Sequence, residues 1–355
     1  ESGYIFFAIK GSKTSGFKYI REAIIKGASI IITDKNGRHK NFPIPVLFNK
    51  NVRKKLSEAC SNFYKNKPQR IIAVTGTNGK SSVVNFFCQL MNLNKMQSAS
   101  IGTLGILSKK YNKKTNLTSI DPISLHKSLE ILKKNRVKNV ILEASSHGLA
   151  QKRLDSLNIN VGIFTNFSHD HLDYHKNMKS YLKAKMYLFN NLLKRNSKII
   201  ADEEIKEFKF IKDISIKRKI KRITIGQKYG NIKILNNKFK KNIQVVKISI
   251  NSKIFILKIP LIGFFQVKNL IMAILAASCC GLNVIKIFKK LNKIKSVPGR
   301  LESVVNLNNN SNIIVDFAHT PAALENSLVA LKEQFDKKII LVFGCGGDRD
   351  KKKRF

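Results

Sequence analysis

The run Thr75-Gly76-Thr77-Asn78-Gly79-Lys80-Ser81-Ser82 places two glycines, a lysine and paired hydroxyls between an apolar run (71–74) and a helix-like run (83–91). Those residue types, in that order, suit phosphate. Glycines let backbone N–H groups approach phosphate oxygens, and a helix N-terminus adds a favourable dipole. Lys80 is placed to reach terminal phosphates, and Ser81 or Ser82 to hold Mg²⁺. Only Gly76 and Gly79 flank the loop, so it is shorter than the GxxxxGK[ST] pattern. A plain glycine turn between strand and helix is the competing reading.

Four more apolar runs end in polar clusters. Residues 140–142 lead into Glu143-Ala144-Ser145-Ser146-His147-Gly148, and 161–164 into Thr165-Asn166-Phe167-Ser168-His169-Asp170-His171-Leu172-Asp173. Residues 313–315 lead into Asp316-Phe317-Ala318-His319-Thr320-Pro321, and 339–343 into Gly344-Cys345-Gly346-Gly347-Asp348-Arg349-Asp350. In open α/β sheets, ligands bind beyond the carboxyl ends of the strands. A carboxylate at Glu143, beside the phosphate loop, can hold the Mg²⁺ that bridges nucleotide phosphates; otherwise it is an acidic loop residue. His171 is read as a metal ligand, against a structural histidine. Lys185 shares a helical face with Tyr181, Leu188 and Phe189 by the i, i±3/4 rule. An amine there is unfavourable unless paired or chemically changed. It can snorkel to water, or react with CO₂ as a neutral amine and become an anionic carbamate able to bind metal.

These groups need elements to carry them. Residues before 69 read as a small α/β unit: a strand at 4–9, a helix at 16–26 and a strand at 29–33. Residues 65–68, ending in Pro68, read as a linker. Continuous apolar runs at 140–142 and 161–164 are those of buried parallel strands, and helical patterns between and after them indicate a doubly wound sheet. Between 205 and 261 the period changes to two, which predicts antiparallel strands with one exposed face added to the main sheet. Residues 267–280 form an apolar helix, and Pro298-Gly299 marks a boundary. After it, 313–315 and 339–343 are the predicted strands of a third α/β unit. The expected fold class is α/β: residues 1–69, a central mostly parallel sheet over 70–297, and the start of a third domain over 298–355.

Composition narrows the function classes. The net charge of +44 comes from lysines spread along the whole chain, so it reads as a bias towards Lys, Asn and Ile rather than a nucleic-acid arm. No nucleic-acid partner is expected. The five cysteines lack zinc spacing, and their odd count argues against a disulfide framework; a reducing cytoplasm fits. No apolar run reaches the ~18–20 residues of a membrane span, and no signal peptide opens the chain, so no membrane partner is expected. The chain opens at Glu1 without methionine and ends within a charged run, which reads as a fragment.

Taken together, the motifs TGTNGKSS, EASSHGL, TNFSHDHLDYH, YLKAKMYLF, PGRLE, DFAHTPAALE and FGCGGDRDKKKR resemble, in that order, those of the Mur ligases, the ATP-dependent amide-forming enzymes of peptidoglycan assembly. The resemblance spans nearly the whole chain and is weakest over 205–261. It implies a three-domain architecture, ATP and Mg²⁺, and an acyl-phosphate intermediate. The DHLDYH run, the SSHGL stretch with Gln151 and Arg153, and the GCGGDRD loop favour the member that adds the third residue, a diamino acid, to UDP-N-acetylmuramoyl-L-alanyl-D-glutamate. By residue, the resemblance implies that Gly76, Thr77, Asn78, Gly79, Lys80, Ser81 and Ser82 bind ATP. Asn269, Arg300 and Asp316 complete that site, Arg300 on phosphates and Asp316 on the ribose. Ser81, Glu143, His171 and a carbamylated Lys185 hold Mg²⁺; Lys80, Lys185 and His171 serve catalysis. Thr118, Ser119, Ser145, Gln151 and Arg153 contact the UDP-linked dipeptide. His319 either joins the site or orders its own loop. A cytoplasmic monomer is expected.

The chain departs from the family pattern in places. Serines replace the usual threonines at 81 and 82, Ile120 a proline, His169 an arginine and Phe317 a tyrosine. The uridine pocket and the Asp-Asn-Pro-Arg-type amino-acid motif are expected to lie largely outside the sequence, with little ligase activity if nothing more is present. The folylpolyglutamate synthases share the phosphate loop and the carbamylated lysine, and are the alternative enzyme. A non-catalytic nucleotide-binding remnant is the alternative outside catalysis.

Overall fold

The computed structural model describes residues 2–11, 14–34, 42–240, 243–306, 311–335 and 337–344. Near the N-terminus, β1 (Tyr4–Ala8), α1 (Ile20–Ile25), β2 (Ala28–Thr33), β3 (Val46–Phe48) and α2 (Val52–Phe63) form a small unit on a parallel β1-β2-β3 sheet. The helix predicted at 16–26 is a 3₁₀ turn over Gly16–Tyr19 that passes into α1. Residues 65–68 carry no regular structure, as Pro68 requires.

A ten-stranded sheet follows. Its first part comprises β4 (Arg70–Thr75), α3 (Lys80–Leu93), β5 (Ser98–Gly102), β6 (Gly105–Leu107), α4 (Pro122–Lys134), β7 (Asn139–Glu143), α5 (Ser146–Ala150) and β8 (Ile159–Phe164). Next come α6 (Leu172–His175), α7 (Met178–Tyr187), β9 (Leu193–Asp202), α8 (Phe208–Arg218) and β10 (Lys221–Gly226). The antiparallel strands β11 (Ile232–Lys240), β12 (Ile243–Ile250) and β13 (Lys253–Ile259) lead into α9 (Phe264–Cys279) and α10 (Val284–Phe288). The strand order is β13-β12-β11-β10-β9-β8-β4-β7-β5-β6. Strands β4, β7 and β8 pair in parallel, with β4 between the other two. Their buried faces read as continuous apolar runs because helices cover both sides: α3 and α9 on one core, α4, α5 and the turn after α7 on the other. The period-two stretch forms the β11–β13 extension, with lysines 233, 247 and 258 on its exposed positions.

The third unit consists of the hairpin β14 (Glu302–Asn306) and β15 (Asn312–Val315), then α11 (Pro321–Gln334). The strand predicted at 339–343 is not formed. Ile340 and Val342 are 83% and 93% exposed, and no strand among the described residues pairs with them. An apolar run becomes a strand only where a neighbour takes its backbone hydrogen bonds. The predicted polar cluster at 345–350 lies outside the described residues.

The small unit meets the central one through α2 and α4, and Ser57 Oγ donates to Lys152 O at 2.6 Å. His126, on α4, is fully buried, and its ring nitrogens make no well-formed hydrogen bond. Burial, helped by the nearby Lys67 charge, lowers its pKa from 6.5 to about 4; the backbone of Asp155 opposes this a little. Because the folded state refuses a proton that the unfolded chain takes up below pH 6.5, stability is complete above 6.5 and falls as pH drops towards 4. Across that whole range the loss amounts to roughly 3 kcal/mol, each tenfold change in proton affinity being worth about 1.4 kcal/mol. Urea denaturation at pH 7.5 and pH 5 is expected to show a loss that shrinks in the H126L variant. An equal acid loss in that variant would assign the effect to other groups.

Candidate functional site

The phosphate loop joins β4 to α3 and adopts backbone angles that its glycines permit. Gly76 has φ +147° and Gly79 φ +83°. A Cβ on Gly76 would clash with Thr165 Oγ1, and one on Gly79 would sit 2.5 Å from Asn269 Oδ1. Alanine at position 79 would therefore be both strained and crowded. The loop after β8 braces the turn: Asn166 Oδ1 accepts from Asn78 N at 2.9 Å, Thr165 Oγ1 donates to Asn78 O at 2.6 Å, and Thr77 N donates to Asn166 O at 3.0 Å. Such bracing holds the first N–H groups of α3 in a fixed array, which is what an anion site at a helix N-terminus requires.

Lys80 Nζ donates to the carbonyls of Gly76 (2.9 Å) and Thr77 (2.7 Å). The residue keeps some exposed surface, but its amine end is enclosed, and that burial lowers its pKa. Glu143 and Asp170 pull it back up, while Arg300 pushes it further down. Charges from β7, from the β8 loop and from the third unit thus all act on one lysine.

Glu143 ends β7, in register beside Val74 of β4, and is 2% exposed. Its Oε1 accepts from Ser81 Oγ at 3.0 Å and from Thr103 N at 2.9 Å; Thr103 Oγ1 reaches Oε2 at 3.3 Å. The carboxylate fits because Gly102 has no side chain: a Cβ there would collide with it. Sequence reasoning missed Gly102 and Thr103, since an isolated Gly-Thr at a strand end carries no signal until β5 and β7 pair. A small recess of about 10 Å³ borders Ser81, Gly102 and Glu143, enough for one water-sized occupant. A hydroxyl and a buried carboxylate beside it are hard oxygen donors of the kind Mg²⁺ takes.

Lys185 reaches the phosphate loop from α7. It is 1% exposed, donates to Gly76 O at 2.7 Å, and stands 4.4 Å from the centre of the Tyr181 ring. Burial first, then the Lys80 charge, hold its amine well below the ordinary lysine range, with Asp170 opposing. Snorkelling is thereby excluded: the amine ends inside the protein, on a carbonyl. The predicted helix around it ends at Tyr187 and continues as a single π turn over Leu188–Leu192, which packs Leu188 and Phe189 into the core.

His171 has a left-handed backbone, φ +51°, and its ring lies against His147 (centroids 4.9 Å apart) and Tyr181 (6.0 Å). Burial lowers its pKa to about 4 against the pull of Asp170, whose Oδ2 is 3.3 Å from His171 Nε2. The ring is thus neutral at pH 7, as metal ligation demands. Among the described residues, no three His, Cys, Asp or Glu side chains converge closely enough to hold a metal by themselves. Ser81 and Glu143 are in contact with each other, whereas His171 faces Asp170 and Lys185 donates to the Gly76 carbonyl.

Ser119 Oγ donates to Glu143 O at 2.8 Å and accepts from Ser145 N at 2.9 Å, and the Ser145 hydroxyl caps α5. Arg153 donates to Ser119 O and, from both Nε and Nη2, to Gln151 Oε1; Gln151 in turn donates to Tyr174 OH. Thr118 and Thr103 share a hydroxyl contact of 3.1 Å. All five predicted substrate residues therefore form one connected polar patch behind Glu143.

On the other side, Asn269 of α9 faces Gly79. Arg300 sits near Glu143 and Asp316, with its guanidinium 4.5 Å over the Phe317 ring. Both Asp316 oxygens are taken by their surroundings, Oδ2 by Leu301 N and Oδ1 by Ala318 N and Ser327 Oγ. In this state Asp316 shapes its own loop. His319 Nδ1 contacts Phe317 O of its own loop at 3.1 Å, and its Nε2 lies 3.9 Å from Asp170 Oδ2.

Residues 74–277 match the sequence family described as the Mur ligase middle domain, and residues 299–355 the Mur ligase, glutamate ligase domain. Over 357 residues the chain is 42% identical to the UDP-N-acetylmuramoyl-L-alanyl-D-glutamate--2,6-diaminopimelate ligase of Rickettsia montanensis, covering 99% of this chain and 73% of that protein. Identity to the protein of the same name in Brucella melitensis is 37%, covering 100% and 72%. A solved structure of a UDP-N-acetylmuramoyl-L-alanyl-D-glutamate--2,6-diaminopimelate ligase superposes with a TM-score of 0.81 at 29% identity, over 100% of this chain and 72% of that one. The apo form of L. casei FPGS shares the fold alone, at a TM-score of 0.67 and 15% identity, over 81% and 77%. With the middle-domain match running from the phosphate loop through α9, the chain belongs to the Mur ligase family.

Proposed function

We propose that this chain is an ATP-dependent amide ligase that joins a diamino acid to UDP-N-acetylmuramoyl-L-alanyl-D-glutamate. The observation that carries the reading is the setting of Lys80: its amine feels the charges of the buried carboxylates Glu143 and Asp170 and donates to the carbonyl that also receives the buried Lys185. The names of the relatives supply the acceptor and the added residue. Residues 70–297 then hold ATP, residues 1–69 part of the UDP-linked acceptor, and residues 298–355 part of the amino-acid site.

The acceptor's terminal carboxylate attacks the γ-phosphorus of ATP, the bond to the β,γ-bridging oxygen breaks, and ADP leaves. The resulting acyl phosphate is attacked at carbon by the amine of the diamino acid. The tetrahedral adduct expels phosphate, and the nitrogen loses its proton to give the amide. The protein's part is positioning and charge neutralisation. Lys80 turns from the Gly76 and Thr77 carbonyls towards the phosphates, and Arg300 meets the same charge from the third unit. Thr118, Ser119, Ser145, Gln151 and Arg153 orient the acceptor. Ser81, Glu143, His171 and carbamylated Lys185 would hold Mg²⁺, which when bound neutralises phosphate charge and polarises the γ-phosphoryl group. Cytoplasmic location and a monomeric state belong to the same reading.

ADP release by the full-length protein tests it. Release is expected to require both the UDP-linked dipeptide and a diamino acid, with diaminopimelate and lysine assayed separately. Release with a folate and glutamate instead would move the chain to the folylpolyglutamate class. Tight ATP binding without substrate-dependent ADP release would make it a non-catalytic nucleotide binder.

A further inference from the structure

We propose that Asp170 is a positioning residue that ties the third unit to the phosphate loop by facing two imidazoles at once. The inference rests on the ligase reading only in naming the nucleotide; the contacts stand by themselves. Asp170 lies in the loop after β8 and is 2% exposed. Its Oδ1 accepts from the backbone N–H of His171 at 2.8 Å, which holds that residue in its left-handed conformation. Its Oδ2 is 3.3 Å from Nε2 of His171 and 3.9 Å from Nε2 of His319. One carboxylate has lone pairs enough for all three partners.

The two histidines belong to different parts of the fold. His171 caps α6 of the central unit, and His319 sits in the loop between β15 and α11 of the third. Behind His319 the contacts continue: its ring packs edge-on against Phe317, with centroids 5.3 Å apart, and Arg300 stacks on that same Phe317 ring, 4.5 Å from its centre. Contacts therefore run from Arg300 through Phe317 and His319 to Asp170 and His171, and from there the Asp170 charge acts on the amines of Lys80 and Lys185. The two ends are the groups proposed to meet the same phosphates from opposite units. Because Asp170 is shielded from water, its attraction for the groups that face it is not screened as a surface pair would be. Moving His319 away removes one partner of a buried carboxylate, so the position of the third unit and the set of the phosphate loop are coupled.

The test is a double-mutant cycle on nucleotide affinity in the full-length protein, using Asp170→Asn, His319→Gln and the double variant. Binding of a fluorescent ADP analogue is measured without turnover, and steady-state ATP and acceptor KM values alongside. Each single change is expected to weaken nucleotide binding about tenfold, and the double change by no more than about twofold beyond the weaker single. The acceptor KM should stay fixed. Effects that multiply in the double variant, or an Asp170→Asn change confined to the acceptor KM, would overturn the proposal. Should Asp170→Asn fail to fold, the half-exposed His319 decides the matter: His319→Lys places a cation opposite Asp170 and should recover most of the affinity lost in His319→Gln, and no recovery would count against the clasp. If wild type binds nucleotide but releases no ADP with any acceptor, the ligase reading fails while the cycle still reads the clasp.

Discussion

Replacing Lys185 with alanine is expected to reduce turnover by about a thousand-fold, roughly 4 kcal/mol of barrier. The side chain is enclosed, its amine donates to a carbonyl of the phosphate loop, and burial favours the uncharged form. An uncharged amine at neutral pH has a free lone pair and can attack CO₂: the new N–C bond forms, the nitrogen loses a proton, and an anionic carbamate results. A neutral amine beside Lys80 has no evident use in phosphoryl transfer, whereas an anion there can bind metal. The alanine variant leaves room where the carbamate would lie, so millimolar formate or acetate should restore part of the activity while leaving KM for the acceptor unchanged. A Lys185→Ala enzyme with full activity would end the carbamate role, and one that no carboxylate rescues would leave the amine itself as the needed group.

Replacing Lys80 with methionine is expected to lower kcat by about 10³-fold, the upper range for removing one group that stabilises transition-state charge. Methionine keeps the length and apolar bulk of the side chain, so the loop should still form around the glycines. What is lost is the cation that its ionisable neighbours are arranged around. Since charge on the γ-phosphoryl oxygens redistributes in the transition state, the loss should appear in kcat more than in the ATP KM. Unchanged kcat with a raised KM would show that Lys80 contributes only ground-state binding.

Part of this was legible from residue order alone. The continuous apolar runs before Gly76, Glu143 and Thr165 announced parallel strands, because only strands covered on both faces can be apolar at every position. The period-two stretch announced the β11–β13 extension by the opposite signature. The failures were also physical. The run at 339–343 has strand composition but no pairing neighbour among the described residues, and composition cannot supply a partner. Gly102 and Thr103 escaped notice, and Asp170 received no role, because each acquires meaning only through a residue distant in sequence: the first two through Glu143, the third through His319.

The sequence by itself determined the phosphate loop, the order of strands that end in polar groups, and the anomaly of a lysine on an apolar helical face. These are local properties, set by backbone permissiveness at glycine and by hydrophobic periodicity. The tertiary structure alone decided that Lys185 shares the Gly76 carbonyl with Lys80, that Gly102 leaves space for Glu143, and that Asp170 faces histidines from two units. Those arrangements depend on which strands pair and which loops cross, and a contact between residues about 150 positions apart leaves no trace in either one's neighbours.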